Sequence, residues 1–248
     1  MKAELEQYRD NGFFTVTGLL SLDEVDAIRQ EIVAIAEAHP NTPEELIQFE
    51  VSVKDGSFTP SSTEMGIRKL FRMAKHNELF RDLAFHPRLV EIAKAILGDE
   101  VILMQSMLLM KPPECSTRKI WHQDNAYFRM SPCDVFGFWI ACDSATVANG
   151  CMHVLPGSHR DGVREHAGEG DEYGWVDKPD QNLIQAIELQ PGDALIFHGE
   201  LLHFTPANQT DQRRRAVQYH YAAKGCKQRP REAGDYPDDL QPELELTM

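Results

Sequence analysis

The chain has 248 residues, carries a formal net charge of −14 and is 42% hydrophobic, which is enough apolar material for a core. The excess of acidic residues argues against a nucleic acid or an anionic membrane as a partner. No apolar run reaches the roughly 18 residues of a transmembrane helix, and residues 1–6 do not resemble a signal peptide. Five cysteines without a CxxC pair favour free thiols in a reducing cytoplasm over a disulfide framework or a zinc cluster.

The first part of the chain, residues 1–98, predicts mainly helices. Residues 2–10 favour a short polar helix, and residues 12–17, which are β-branched and aromatic, favour a strand. Ser21 is a good N-cap for the next helix, and Glu24 completes a capping box with it. Apolar residues then recur at helical spacing, so one face of this helix should be buried.

The stretch that follows is less regular. Residues 41–62 show no clear period and are expected to form a loop, whereas residues 64–83 favour a helix. Pro87 opens a further helix, and Gly98 provides its C-cap. The N-terminal part therefore predicts helices that flank a fold built further along the chain.

Beyond these helices the pattern changes to short strands. The longest is the apolar run 101–110, and the turn pairs Asn149-Gly150, Pro156-Gly157 and Pro191-Gly192 separate several later ones. Shorter strands are expected at residues 134–141, 152–155, 184–189, 194–198 and 216–223. Many short strands with such turns favour a mainly β fold with flanking helices, and a double-sheet jelly roll fits this pattern.

We expect residues 1–248 to form a single domain, because no Pro/Gly/Ser linker divides the chain. In this view a helical part, 1–98, precedes a jelly-roll core over about 99–224, and a Pro-rich acidic tail, 225–248, follows it. Residues 160–182 are polar and Gly-rich and should form one long loop. A long ordered loop is often functional, and a lid over a site is one such role.

The strongest functional signal is the pair His122 and Asp124. A histidine and an aspartate two positions apart in an extended segment point to the same face, so both can bind one metal ion. A later stretch offers His198 or His203 as a third ligand, and the position of His203, a short distance before Arg214, favours it. Two histidines and one carboxylate that leave part of the metal open are the ligand set of non-haem Fe(II) oxygenases.

An arginine triplet, residues 213–215, follows this stretch. An Fe(II) oxygenase needs electrons beyond those of its substrate, and an α-keto acid can supply them by oxidative decarboxylation. The far carboxylate of such a cosubstrate needs a cationic anchor, and the planar fork of arginine binds carboxylates bidentately. In an extended strand Arg214 points away from Arg213 and Arg215, so one face of the triplet can supply the anchor.

Several motifs together resemble the phytanoyl-CoA dioxygenase family. They are YRDNGFFTVTGLL at residues 8–20, Gln105-Ser106-Met107, His122-Gln123-Asp124, NGCMHVLPGSH at 149–159, PGDALIFHGELLH at 191–203 and residues 208–221. The resemblance implies a double-stranded β-helix (jelly roll, cupin-like) that uses Fe(II), 2-oxoglutarate and O2. It further implies that the iron ligands are His122, Asp124 and His203. Because halogenating relatives have a small residue in place of the aspartate, Asp124 implies hydroxylation or another oxidation.

The resemblance also implies a cosubstrate pocket. Arg214 would hold the far carboxylate of 2-oxoglutarate, and Thr205 would donate a hydroxyl beside it. Trp139 and Met107 match positions that line this pocket. Lys69 looks like the lysine that the family places near the cosubstrate, although the chain around it diverges from the family.

The residues expected to face the substrate are inferred from their position. Asn125, Tyr127 and Arg129 follow the metal motif and are expected at the mouth of the site. The expected reaction is the hydroxylation of a small organic molecule, with 2-oxoglutarate converted to succinate and CO2. Two alternatives remain open at this point: a zinc-dependent hydrolase on the same ligands, with Glu200 as its base, and a non-catalytic sensor that binds 2-oxoglutarate or another ligand.

Overall fold

The computed structural model describes residues 1–237 and 242–246. Its strands, numbered β1 to β16 in chain order, are Phe13–Val16, Ile47–Phe49, Ile67–Phe71, Val101–Lys111, Lys119–His122, Met130–Ser131, Val135–Ala141, Met152–Val154, His166–Ala167, Gly174–Trp175, Gln185–Ile187, Ala194–His198, His203–Thr205, Arg214–Ala223, Lys227–Gln228 and Leu244–Leu246. Its α-helices, numbered α1 to α7, are Lys2–Asn11, Leu22–Glu37, Val51–Lys54, Met73–His76, Glu78–Ala84, Pro87–Leu97 and Asn125–Phe128.

Two antiparallel sheets form the centre of the fold. The major sheet has the strand order β1-β12-β7-β14-β4-β3-β2, with β16 beside β4, and the minor sheet has the order β11-β8-β13-β5. Both sheets contribute to one cluster of buried side chains, which includes Trp139 and Leu195 from the major sheet and Met152 and Ile187 from the minor sheet. Two sheets that share a core in this way form a jelly roll, so the predicted fold class is confirmed.

Helices cover the other face of the major sheet. Val25, Ile28 and Ile32 of α2 are buried there in a second cluster, together with Phe80 of α5 and Leu89 of α6. The helical spacing of the apolar residues in α2 therefore produces the buried face that the sequence predicts.

The predicted helix boundaries of α2 and α6 are also confirmed. The hydroxyl of Ser21 accepts a hydrogen bond from the backbone N–H of Glu24 at 3.3 Å, and the Glu24 carboxylate accepts one from the backbone N–H of Ser21 at 2.7 Å. This is the capping box. Helix α6 begins at Pro87, and Gly98 follows its last residue with φ +88°, a positive φ that glycine adopts without strain.

The chain between α2 and α6 departs from the prediction. Residues 64–83, predicted as one helix, form β3 and then the short helices α4 and α5, and Arg72 lies between β3 and α4 at φ +56°. Pairing of β3 with β4 supplies the backbone hydrogen bonds and outweighs the helical spacing of its apolar residues. Residues 41–62, predicted as a loop, contribute β2 and α3.

The N-terminal part is therefore not a separate helical flank. Strand β1 pairs with β12, and β2 and β3 extend the major sheet beyond β4. The tail contributes strands too: β16 pairs with β4 of the major sheet, and β15 pairs with β6 in a separate two-stranded sheet. Because strands from the N-terminal part, the middle and the tail pair within the major sheet, we propose that the described chain is a single domain. None of the helices in the described ranges is long and apolar enough to cross a bilayer.

Candidate metal centre and active-site cavity

Neighbouring strands of the minor sheet bring the predicted metal ligands together. His122 ends β5 and His203 begins β13, and the two lie opposite each other in the antiparallel register. Asp124 follows directly before α7, and its Oδ1 lies 3.6 Å from Nε2 of His122 and 3.7 Å from Nε2 of His203. All three residues are buried, and their ligand atoms lie within 4.8 Å of one another. This spacing fits one metal ion bound between them.

Each histidine presents Nε2 to this point. Nδ1 of His122 lies 2.8 Å from the carbonyl oxygen of Ile120, and Nδ1 of His203 lies 2.8 Å from that of Leu201. Because a carbonyl can only accept, each Nδ1 carries the proton and each Nε2 keeps its lone pair. Hydrogen bonds of this kind orient the histidines of metal sites.

The protonation states also suit a metal cation. Burial lowers the pKa of His122 and of His203, so both imidazoles are neutral at neutral pH. Burial by itself would raise the pKa of the Asp124 carboxyl, but the neighbouring imidazoles of His220 and His203 and the hydrogen bond from His220 outweigh burial and hold the pKa below its ordinary value. The site therefore offers one carboxylate and two neutral nitrogen ligands.

His198 lies in a different cluster. Its Nδ1 accepts a hydrogen bond from the backbone N–H of Glu200 at 3.0 Å, so in the neutral ring Nε2 carries the proton. The donor atoms of His198, Glu200 and Cys133 lie within 4.8 Å of one another, but burial raises the pKa of the Cys133 thiol, and a protonated thiol is a poor metal ligand. The structure thus brings His203, and not His198, to the other two predicted ligands.

A cavity of about 430 Å³ opens over the three ligands. Both sheets, the 160–182 loop and the C-terminal segment form its walls, the last through Tyr236 and Glu243. The predicted site residues that line it are Lys69, Met107, His122, Asp124, Tyr127, Trp139, His203, Thr205 and Arg214. Its volume is that of a site for a small molecule.

Arg214 supplies this cavity with a cation that has no anionic partner among the described residues. The residue is 1% exposed, and its Nη2 donates to the carbonyl oxygen of Gly150 at 3.1 Å. Its Nε and Nη1 have no hydrogen-bond partner among the described residues. Burial lowers the pKa of Arg214 to about 10, so the group stays charged at neutral pH. Two free donors on a buried charge are costly unless an anion joins them, and the carboxylate of a keto acid fits this requirement.

The other two arginines of the triplet have partners outside the cavity. Arg213 forms an ion pair with Glu64. Arg215 holds Asp143 with two hydrogen bonds, from Nε at 2.8 Å and from Nη2 at 2.9 Å. Only Arg214 faces the cavity, as expected from the alternation of side chains along β14.

The remaining residues expected near the cosubstrate differ in their surroundings. Trp139 is fully buried beneath the guanidinium of Arg214, whose Cζ lies 5.1 Å from the ring centroid, and Thr205 and Met107 line the same cavity. Lys69 also lines the cavity, but its Nζ lies 2.5 Å from Oδ1 of Asp171. The lysine is therefore engaged by the long loop in this structure.

Part of the 160–182 loop covers the cavity. It contains the paired strands β9 and β10, which the sequence does not predict. The carboxylate of Asp171 lies 3.0 Å from Nε of Arg68, in addition to its contact with Lys69. The backbone carbonyls of Asp171 and Tyr173 accept hydrogen bonds from Nζ of Lys119 at 2.7 and 3.1 Å. These contacts hold the loop against β3 and β5.

The three residues expected to face the substrate separate into two groups. Tyr127 lines the cavity, and its hydroxyl lies 2.8 Å from Nζ of Lys119. The side chain of Asn125 bonds both backbone groups of Met130 and therefore holds the turn after α7. Arg129 reaches the backbone carbonyl of Tyr236 with Nη1 at 3.3 Å. Asn125 and Arg129 thus support the wall of the cavity from behind.

Sequence reasoning does not find four residues that contribute to this site: Lys119, Asp171, His220 and Tyr236. His220 could have been predicted from the sequence, because an even number of positions separates it from Arg214 on one strand, which places both side chains on the same face. No local pattern connects Asp171 or Tyr236 to the metal motif, since the folding of distant segments brings them there.

A jelly roll with two histidines and a carboxylate, beside a buried arginine that forms no ion pair within the described part of the chain, is typical of the class of non-haem iron and 2-oxoglutarate-dependent oxygenases. Comparison with protein families agrees, because the family model described as phytanoyl-CoA dioxygenase (PhyH) matches residues 8–216. The chain belongs to this family. Its membership confirms the expected enzyme class, a dioxygenase, and the expected use of Fe(II), 2-oxoglutarate and O2.

Individual relatives are similar over most of the chain. A peroxisomal phytanoyl-CoA dioxygenase from Rattus norvegicus is 28% identical over 232 residues, which cover 89% of this chain and 68% of that protein. Phytanoyl-CoA dioxygenase domain-containing protein 1 from Danio rerio is 27% identical over 257 residues, with 88% of each chain covered.

Solved structures share the fold. The epimerase SnoN in complex with Fe3+, alpha ketoglutarate and nogalamycin RO has a TM-score of 0.72 at 23% identity, with 100% of this chain and 95% of that chain covered. EctD from S. alaskensis with bound Fe has a TM-score of 0.74 at 21% identity, with 97% and 86% covered.

Proposed function

We propose that the protein hydroxylates a small organic molecule while 2-oxoglutarate is converted to succinate and CO2. The observation that carries this proposal is that one cavity contains two groups. The first is His122, Asp124 and His203, and the second is the Arg214 guanidinium, of which two donors have no partner in the ranges that the structure describes. The first group suits a metal with open positions, and the second suits the far carboxylate of a keto acid.

In this proposal each residue has a defined task. His122, Asp124 and His203 hold Fe(II), which when bound supplies the redox chemistry that joins O2, cosubstrate and substrate. Arg214 anchors the far carboxylate of 2-oxoglutarate, with Thr205 beside it. The wall around Trp139, Met107 and Lys69 excludes water from the cosubstrate and fixes its direction toward the metal.

The substrate would enter on the side of Tyr127 and the long loop. The rings of Tyr127, Tyr173 and Tyr236 pack against one another, with centroids 4.7 to 5.3 Å apart. The three rings come from different segments. Tyr127 and Tyr236 line the cavity, and Tyr173 packs against both of them, so this wall presents aromatic surface. We propose that this wall, rather than Asn125 or Arg129, touches the substrate.

The two alternative functions lack comparable support. A zinc hydrolase needs a base beside the metal, yet the carboxylate of Glu200 accepts a hydrogen bond from Asn125 at 3.0 Å and belongs to the separate cluster around Cys133. A sensor would bind the same metal and cosubstrate without turnover. The metal required and the release of succinate therefore separate both alternatives from the oxygenase.

The test begins under anaerobic conditions. Fe(II) and 2-oxoglutarate added to the purified protein should give a weak visible charge-transfer band, and Asp124→Ala should give none. Admission of O2 together with a panel of small organic molecules should then release succinate. Hydrolysis of esters with Zn(II) and no band would establish the hydrolase, whereas a band without succinate for any compound would establish the sensor.

We also propose that the protein works in the cytoplasm. All five cysteines are free in the structure, which suits a reducing compartment. Fractionation of the cells that make the protein tests this proposal, and recovery with peroxisomes would contradict it.

A further inference from the structure

A histidine on the major sheet holds the second oxygen of the metal-binding carboxylate. Nε2 of His220, in β14, lies 2.7 Å from Oδ2 of Asp124. The other oxygen, Oδ1, is the one that faces His122 and His203. Because a carboxylate can only accept, Nε2 of His220 carries a proton and donates it to this hydrogen bond.

The imidazole of His220 is held firmly in this position. It is 1% exposed and packs against the rings of Phe128 and Phe197, with centroids 4.9 and 6.2 Å away. Gly137 on the neighbouring strand leaves room for it, since a Cβ there would lie 3.2 Å from Cδ2 of His220 and 2.6 Å from the Phe197 ring. The ring therefore cannot turn away from Asp124 without a change in its surroundings.

We propose that His220 is a positioning residue that leaves only Oδ1 of Asp124 available to the metal. The inference rests on the proposed function, since it concerns the same metal centre. A carboxylate that rotates freely can offer both oxygens to one ion and so occupy a position that the cosubstrate or O2 needs. A charge-assisted hydrogen bond in a buried site opposes this rotation and keeps the open face of the metal open.

Two variants separate this role from simple packing. His220→Gln and His220→Asn both remove the ring and its contacts with Phe128 and Phe197. Only glutamine is long enough to place an amide N–H near the position of Nε2, so only glutamine can restore the bond to Asp124. A role in packing would make the two variants alike.

The measurement uses Co(II), whose visible absorption reports the number and arrangement of ligands without any turnover. Loss of a group that supports a metal ligand typically lowers metal affinity by about ten- to a hundredfold. We therefore expect His220→Asn to bind Co(II) ten- to a hundredfold more weakly and to show an altered spectrum. His220→Gln should remain within about threefold of the wild type, with the wild-type spectrum.

The outcomes distinguish this inference from the proposed function. Failure of the wild type to bind Co(II) or Fe(II) would overturn the metal centre itself. Normal binding by the wild type with equal losses in both variants, or with no loss in either, would overturn the role of His220 alone. If circular dichroism finds the asparagine variant unfolded, the glutamine variant decides: wild-type affinity and spectrum support the inference, and a loss beyond tenfold refutes it.

Discussion

Arg214→Lys tests whether the buried guanidinium holds the cosubstrate. Lysine keeps the positive charge but lacks the planar fork, so at least one of the two hydrogen bonds offered by Nε and Nη1 is lost. A hydrogen bond to a charged group contributes about 1.5–3 kcal/mol, and each 1.4 kcal/mol is a factor of ten. We therefore expect the Kd for 2-oxoglutarate to rise roughly ten- to a hundredfold.

The assay is an anaerobic titration of the Fe(II) protein with 2-oxoglutarate, followed by the visible band. Arg213→Lys is the matched control, because Arg213 neighbours Arg214 in the chain but pairs with Glu64 instead. The Kd of this variant for 2-oxoglutarate should stay within about twofold of the wild-type value. The KM for the substrate should change little in either variant. A larger effect at Arg213, or an unchanged Kd at Arg214, would refute the assignment of the cavity face of β14.

Three further predictions concern the metal, a glycine and an ion pair. His203→Ala should abolish Fe(II)-dependent turnover with its fold retained by circular dichroism, whereas His198→Ala should remain active; the reverse result would exchange the third ligand. Gly150→Ala should raise the KM for 2-oxoglutarate and lower stability by roughly 1–3 kcal/mol, because a Cβ at φ +89° would lie 2.6 Å from the carbonyl oxygen of Pro206 and displace the carbonyl that holds Arg214. Gly162→Ala, also at positive φ but in open space, is its control and should leave this KM unchanged. Asp143→Asn should lower the free energy of unfolding by roughly 1.5–3 kcal/mol at pH 7, because buried Arg215 loses the carboxylate of Asp143 and keeps that of Glu64. Burial would raise the pKa of Asp143, but Arg215 outweighs burial and holds the pKa below its ordinary value. The stabilisation therefore exists above the unfolded pKa and should be lost as the pH falls through the folded pKa. Urea denaturation that gave the same difference between wild type and variant at low pH would contradict this.

The candidate metal centre is the part of the site that local sequence indicates best, through the pair His122 and Asp124. The expected reason, two positions along one extended segment, holds only in part, because β5 ends at His122 and Asp124 already has helical backbone angles before α7. The orientation of Arg214 is predictable from the alternation of side chains along a strand. The choice between His203 and His198 depends on register, since only the residue that falls opposite His122 on the adjacent strand completes the group.

Other features depend on contacts that no local pattern contains. Residues 67–71 have apolar spacing that suits a helix, but in the structure they form hydrogen bonds with the edge of β4 and are therefore a strand. Asn125 stands next to the metal motif in sequence, yet the single turn of α7 directs its side chain to the backbone of Met130. Lys69 is aimed at the cavity, but its partner, Asp171, lies 102 positions further along the chain.

The hydrogen bonds from His122 and His203 to carbonyl groups two positions earlier have a consequence for how substrate range can change. Each bond depends on its own short stretch of backbone and on no side chain of the cavity wall. A wall residue on the proposed substrate side such as Tyr236 can therefore be exchanged while both imidazoles keep their tautomer and direction. Altered substrate selectivity should thus be accessible by single substitutions in the wall that leave iron affinity intact, which makes this cavity a practical starting point for engineering.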